Sequence, residues 1–357
     1  MLYQTENQHG GDVYGGGITL DFSANTNPLG TPPGVLEAVR RGLPQLHRYP
    51  DPYCRQLVQA IAAHEQVPAS YVLCGNGAAD LIYTYCAALR PRTAVELAPT
   101  FVEYGAGLAQ VGCRVERYFL HQAQNFDLDE RFLSFLEEKK PEVVFLCNPN
   151  NPTGRLIPLP LLEQILQYCA AQGARLFLDE CFLDLTEDGV SAKSLLAAHP
   201  ALLLLKAFTK SYGMAGLRLG YCLCADSALL HEMAAASPPW NVSSLAQSAG
   251  VAALAERDFL QRTLSLVRTE RRWLTDNLTA LGFWVCPSHA NYLLFRGPLG
   301  LREGLLQQGI AIRGCGNYNG LGDGWYRIAV RPHGENEALI TAIRQFCKEK
   351  ALWQRIL

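Results

Sequence analysis

The chain has 357 residues, of which 49% are hydrophobic and 18% charged, with a net charge of −2. That balance belongs to a globular chain of about two domains with ample core, and with no basic stripe it excludes a nucleic-acid binder that tracks phosphates. No apolar run approaches the roughly 20 residues of a membrane span, which excludes membrane insertion.

The first 44 residues are rich in Gly, Asn and Pro and read as an arm that crosses the surface and packs with a smaller domain. The polar opening MLYQTENQHGG has no secretory pattern, and the twelve cysteines stand singly in apolar runs, never as C-x-x-C. Reduced core cysteines in a cytoplasmic protein are therefore expected, with no metal site.

From about residue 70 to 260 short apolar runs alternate with helical patterns, as in an α/β fold with a parallel sheet covered by helices. The first run, LCGNGAADLIYTYCAAL, passes through Gly75, Asn76 and Gly77 into a helix. Free backbone N–H groups from Asn76 to Ala78 and the helix dipole would make an anion cup there. GNGAAD lacks the G-x-G-x-x-G spacing, which disfavours a dinucleotide-binding domain.

Four further runs each place polar residues directly after the apolar stretch. TAVELAPTF ends at Phe101, EVVFLCNPNNPTG carries Asn151, RLFLDECF ends at Asp179 and Glu180, and ALLLLKAFTK ends at Lys210. In an open parallel sheet these positions share the carboxyl rim, where ligands bind. Between them, PLPLLEQILQYCAAQG reads as a helix that begins at prolines and stops at Gly173. A long helix is expected from about Ala246 to Leu281. ANYLLFR, GLREGLLQQG, WYRIAVR and NEALITAIRQFCKEK then alternate strand and helix in the smaller domain. The domain reading is 45–260 for the large unit, and 1–44 with 261–357 for the arm and small unit.

On one rim, then, lie an amine at Lys210, a carboxylate at Asp179 and an anion cup joined by Arg218 and the Thr209 hydroxyl. A cofactor with an aldehyde, a basic ring nitrogen and a phosphate needs this set. Asn151 is placed to donate to a ring hydroxyl and Phe101 to cover the ring face.

NPNNPTG, LDECF, TKSYGMAGLRLGY and YRIAVR, at these separations, resemble the fold-type I pyridoxal 5'-phosphate enzymes of the aspartate aminotransferase superfamily. The resemblance spans nearly the whole chain. It implies a large domain with a mostly parallel seven-stranded sheet and a smaller α/β domain. Lys210 would carry the cofactor, Asp179 would meet the pyridine nitrogen and Asn151 the phenolic oxygen. Asn76, Gly77, Ala78, Thr209 and Arg218 would hold the phosphate. Tyr49 of RYPDPY would reach in from a second subunit, so a homodimer with shared active sites is implied.

Within that superfamily HGG, LDFSANTNPLG, PTFVEY, PPWNVSSLA, ANYLLFR and IAIRGCGNYNGL resemble the threonine-phosphate decarboxylases of cobalamin biosynthesis. That likeness implies a small phosphorylated amino acid as substrate, in a pocket of His9, Gly10, Asn25, Asn151, Arg313 and Arg327. Histidinol-phosphate aminotransferases share NPNNPTG and GLRLGY but usually have tyrosine at the position of Phe182. L-serine O-phosphate decarboxylation, histidinol-phosphate transamination and a non-catalytic cofactor-fold protein remain as alternatives. Two positions depart from the pattern. Ala207 stands where a phosphate-binding hydroxyl is common, and the segment between HGG and LDFSAN is short and glycine-rich.

Overall fold

The computed structural model describes residues 9–356, with side chains through residue 350. Strand β1 (Leu20–Asp21) comes from the N-terminal arm. The large sheet holds β2 (Val72–Gly75), β3 (Thr93–Ala98), β4 (Arg114–Phe119), β5 (Val143–Cys147), β6 (Arg175–Asp179), β7 (Leu202–Ala207) and β8 (Gly220–Cys224). The C-terminal region adds β9 (Trp284–Val285), β10 (Tyr292–Arg296), β11 (Ile310–Ala311), β12 (Arg313–Gly314) and β13 (Trp325–Ala329).

The seven strands run in the order β2-β8-β7-β6-β5-β3-β4. All neighbours from β7 to β4 are parallel, whereas β8 is antiparallel to both β7 and β2. Helices cover both faces, so β5 and β7 are buried throughout and read as apolar runs rather than alternating ones, interrupted in β7 by Lys206. The mostly parallel seven-stranded α/β sheet expected from the sequence is present. Reversal of β8 has a direct consequence for the site. It brings Gly220 opposite both Gly75 and Ala207, so the loop before β8, with Arg218, lies on the same rim as the ends of β2 and β7.

A four-stranded antiparallel sheet, β12-β13-β10-β9, forms the second unit, packed against helices Phe259–Ala280 and His333–Ile356. Its apolar core includes Leu293, Phe295, Ile328 and Ile343. The helix Leu159–Gln172 starts after Pro158 and ends at Gly173, as its sequence indicates. The single long helix expected over 246–281 is instead two, Ser244–Leu254 and Phe259–Ala280. Ser243 caps the first by accepting from the Ala246 N–H, and the chain turns at 255–258, where Glu256 accepts from the Gly34 N–H.

The arm is also more embedded than a surface crossing. β1 pairs with β11, and Phe22, Asn25 and Asn27 are buried, but helix Pro33–Gly42 packs on Ser244–Leu254 beside the large sheet. Val35 turns inward there while Leu36, its neighbour, is exposed, which is the ordinary result of an amphipathic helix.

Candidate active site

Asp179 closes β6 and is buried. Its Oδ2 accepts from the Tyr104 hydroxyl at 2.6 Å, and its Oδ1 accepts from the Cys181 N–H at 2.8 Å. Burial raises the carboxyl above its ordinary range, against the pull of those two hydrogen bonds and of the Lys210 charge. A buried acid of this kind is short of a cation, and a protonated ring nitrogen is the kind of partner that would lower it again.

Lys210 sits in a single helical turn, Phe208–Ser211, directly after β7. Burial, helped by the positive charges of Arg327 and Arg218, brings its amine down to about 8, while Cys181 and Asp179 pull the other way. Its Nζ is 5.5 Å from the centre of the Phe182 ring, which in turn stands edge-on to Tyr292 with centroids 5.0 Å apart. The amine is thus near the pH range in which it becomes a nucleophile.

The anion cup differs from the expectation in one respect. Gly77 caps the helix Ala78–Leu89 at φ 87°, a conformation that favours glycine, and a Cβ there would meet Arg218 Nη2 at 2.6 Å. Arg218, itself at a positive φ of 55°, therefore lies against the helix start, with Thr209 buried nearby in the chain. The N–H groups of Asn76 and Gly77 are not free, however. The first donates to Asp80 Oδ2 and the second to the Gly75 carbonyl, both at 2.8 Å. Asp80, in the first helical turn, folds back as a cap, so Arg218 supplies the positive charge on this rim. Ala207, buried at the end of β7, adds no hydroxyl.

Arg327 on β13 is buried and joins three parts of the chain. Nη1 donates to Asn151 Oδ1 and lies 3.5 Å from the Tyr318 hydroxyl, and Nη2 donates to the Ser23 carbonyl at 2.9 Å. With its oxygen engaged, Asn151 presents its amide N–H groups as donors. Arg313 is the cross-strand partner of Arg327; it donates to the Gly314 carbonyl and to Asn317 Oδ1, and stands 5.4 Å from the centre of the Tyr318 ring. Among the described residues, Arg327 Nε and both amide atoms of Asn25 are buried without a hydrogen-bond partner. Such groups are costly unless a ligand satisfies them.

His9 bridges to Glu103 at 2.8 Å and lies 6.0 Å from Phe101, ring centre to ring centre. Phe101 is partly buried and edge-on to Tyr104. Gly10 has no room for a side chain, because a Cβ would come within 2.1 Å of the Ser23 carbonyl oxygen. A cavity of about 860 Å³ opens between the arm and the small sheet, with His9, Gly10, Ser23, Arg313 and Trp325 in its walls. Lys210, Asp179 and Arg327 lie outside those walls, so this space borders Arg313 rather than the amine. Tyr49 is not brought to the amine within this chain. It is 79% exposed and stacks on Trp240 with centroids 4.7 Å apart.

Two residues of the site escaped the sequence reading, Tyr104 and Tyr318. Both lie in stretches singled out for other reasons, PTFVEY and IAIRGCGNYNGL. Nothing in one sequence marks a phenol as the partner of a carboxylate 75 residues away. A buried carboxyl short of a cation, an amine of lowered basicity, an arginine against a helix start and an unpaired amide together fit pyridoxal 5'-phosphate and an anionic substrate.

Comparison with known proteins agrees with that fit. Residues 18–346 match the family Aminotransferase class I and II. The chain is 41% identical over 331 residues to the threonine-phosphate decarboxylase of Salmonella typhimurium, covering 91% of this chain and 90% of that protein. The crystal structure of L-threonine-O-3-phosphate decarboxylase from Porphyromonas gingivalis superposes with a TM-score of 0.82 at 25% identity, covering 92% of this chain and 99% of that one. Histidinol-phosphate aminotransferase from Sinorhizobium meliloti, solved in complex with pyridoxal-5'-phosphate, shares the fold with a TM-score of 0.82 at 23% identity over 92% of each chain. The chain belongs to the class I and II aminotransferase family.

Proposed function

We propose that this chain decarboxylates L-threonine O-3-phosphate to (R)-1-aminopropan-2-yl phosphate, in the cytoplasm, as a step of cobalamin biosynthesis. The observation that carries the reading is the cross-strand pairing of Arg313 with Arg327, the second of which lies close enough to Lys210 to lower the basicity of its amine. Phosphothreonine brings a phosphate and a carboxylate to two guanidinium groups, whereas histidinol phosphate brings a phosphate alone. Phe182, where the aminotransferases usually have tyrosine, supports the same choice.

When bound, pyridoxal 5'-phosphate supplies the electron sink for the pair left on Cα as carbon dioxide departs. Asp179 would keep a proton on the ring nitrogen, Asn151 would donate to the phenolic oxygen, and Phe101 would cover the ring. Arg218, with Ala78 and Thr209, would hold the cofactor phosphate, and Gly77 would leave room for the arginine by having no side chain. Arg313 and Arg327 would grip the anionic groups of the substrate and so fix which bond to Cα is placed to break. His9, Gly10 and Asn25 would close the pocket, and Lys210, in its ammonium form, would supply the proton that Cα takes up in place of the carboxylate.

In this reading residues 45–260 bind the cofactor, and 1–44 with 261–357 form the arm and the smaller unit. A second copy completes the site. Leu36, Leu43, Leu46, Tyr49 and Tyr53, along one short stretch, and Trp240, stacked on Tyr49, are all exposed, which supports a covered face there. No described helix is long and apolar enough to cross a membrane, and all twelve cysteines are unpaired, which supports a reducing compartment.

The test is incubation of the purified protein with phosphothreonine, phosphoserine, or histidinol phosphate plus 2-oxoglutarate, with products identified by mass. Release of carbon dioxide and aminopropanol phosphate is expected. Transfer of the amino group to 2-oxoglutarate would replace this reading with transamination, and no product from any substrate would leave a non-catalytic binder. Phosphoserine should be used less well, since one methyl discriminates by about 1–3 kcal/mol.

A further inference from the structure

A second cluster of charge lies beside the site and takes no part in the chemistry above. Lys206, four residues before Lys210, is 5% exposed, with Nζ 2.9 Å from Glu65 Oε1 and 3.1 Å from Asp184 Oδ1. Glu65 also meets Lys193 Nζ at 3.0 Å and accepts from the Tyr221 hydroxyl at 2.5 Å. Two carboxylates and two ammonium groups pair here, and a third carboxyl, the buried Glu180, lies close enough to feel both Lys206 and Asp184. Burying them gains little net stability, because removing charge from water costs about as much as the pairing returns, and an apolar side chain among the leucines of β7 would pack as well. What such a cluster supplies is fixed geometry.

Its geometry reaches the lysine turn. Ser211, buried and adjacent to Lys210, donates from Oγ to Asp184 Oδ2 at 2.9 Å, and its carbonyl accepts from Asn27 Nδ2 at 2.8 Å. Asn27 Nδ2 also donates to Thr263 Oγ1 at 2.8 Å. The turn Phe208–Ser211 is four residues long and cannot hold its own shape, since one helical turn fixes several dihedrals for few hydrogen bonds. On the neighbouring strand Glu180, next to Asp179, accepts from Ser191 Oγ at 2.6 Å and from the Ala192 N–H at 2.8 Å. Both chain ends that carry reacting groups are thus tethered one residue further on.

We propose that Asp184, held in place by Lys206, is a positioning residue for Lys210, acting through the Ser211 hydroxyl to fix the turn from which the amine projects. The inference rests on Lys210 as the residue that captures the cofactor. It concerns orientation of the amine, not its identity.

The experiment measures capture of pyridoxal 5'-phosphate by the cofactor-stripped full chain, as growth of visible absorbance, and the pH midpoint of that band. Ser211→Ala deletes one oxygen and leaves the ion cluster whole. It is expected to slow capture about tenfold, the effect of one hydrogen bond to a charged acceptor, and to move the midpoint. Asp184→Ala, which also takes a partner from Lys206, should slow capture at least as much, Asp184→Asn, which keeps an oxygen for Ser211, should restore most of the rate, and the Ser211→Ala/Asp184→Ala pair should lose no more than Asp184→Ala alone. Wild-type capture and midpoint in Ser211→Ala, or additive losses in the pair, would overturn the positioning role while leaving the cofactor reading intact. Absence of the band in the wild-type chain overturns both.

Discussion

Arg313 and Arg327 stand directly opposite one another on antiparallel strands β12 and β13, so two guanidinium groups project from one face of the small sheet. Like charges in that position repel, by about 0.2–1 kcal/mol in ordinary sheets. The Tyr318 ring stands 5.4 Å from Arg313, and its hydroxyl 3.5 Å from Arg327. The arrangement holds two like charges side by side, a repulsion that an anionic ligand would relieve.

Arg327→Ala is accordingly expected to lower kcat/KM for phosphothreonine by about 10- to 150-fold, the range for one hydrogen-bonded charge, while the visible cofactor band stays. Arg313→Ala should raise KM and reduce the thermal stabilisation given by added inorganic phosphate. Steady-state kinetics and melting with and without phosphate check both. Unchanged turnover in Arg327→Ala would remove the assigned pocket.

Lys210, with its amine at about 8, should capture the cofactor faster as pH rises, levelling off above pH 8. The sign follows from the free base being the nucleophile; an ordinary lysine would still be gaining rate at pH 10. Stopped-flow absorbance against pH measures this. Lys210→Ala should lose the visible band and turnover together.

Asp179→Asn keeps the shape of the buried side chain but not its charge. Turnover is expected to fall on the order of 10²-fold or more, with cofactor still bound through Arg218. Equilibrium dialysis against the cofactor, set beside the rate of carbon dioxide release, separates the two effects. Near-normal turnover would show that the ring proton does not depend on this carboxylate.

Glu65 supplies a pH-dependent stability. Burial works against its charge, yet Lys206, Tyr221 and Lys193 outweigh burial and hold the carboxyl at about 2, below its ordinary 4.5. A carboxyl lowered on folding stabilises fully above pH 4.5 and loses that stability as pH falls towards 2, here about 3 kcal/mol. Glu65→Gln should therefore melt well below wild type at pH 7, with the gap closing between pH 4.5 and 2. A gap independent of pH would mean that shape rather than charge matters at this position.

Leu46→Asp, on the exposed apolar stretch, should shift a dimer to monomer in sedimentation and cut turnover without disturbing the fold. A wild-type monomer at working concentration would overturn the shared-site reading, including the role of Tyr49.

The sequence by itself determined the large sheet and the rim. Strands buried on both faces are written as nearly unbroken apolar runs, so the polar residues that follow them, Asn151, Asp179 and Lys210, announce the place where ligands meet a parallel sheet. Helix ends marked by Pro158 and Gly173 were legible for the same local reason. Tertiary structure alone decided what depends on contacts between distant residues. Reversal of β8 put Arg218 against Gly77, and Asp80 claimed the Asn76 N–H that a local reading left free for phosphate. Register between β12 and β13 set the two arginines face to face, and packing at 255–258 broke a helix that periodicity alone would continue. Hydrogen bonds across 75 residues, as from Tyr104 to Asp179, or 27, as from Ser211 to Asp184, leave no mark in local patterning, because each partner is chosen by position in space and not by spacing along the chain.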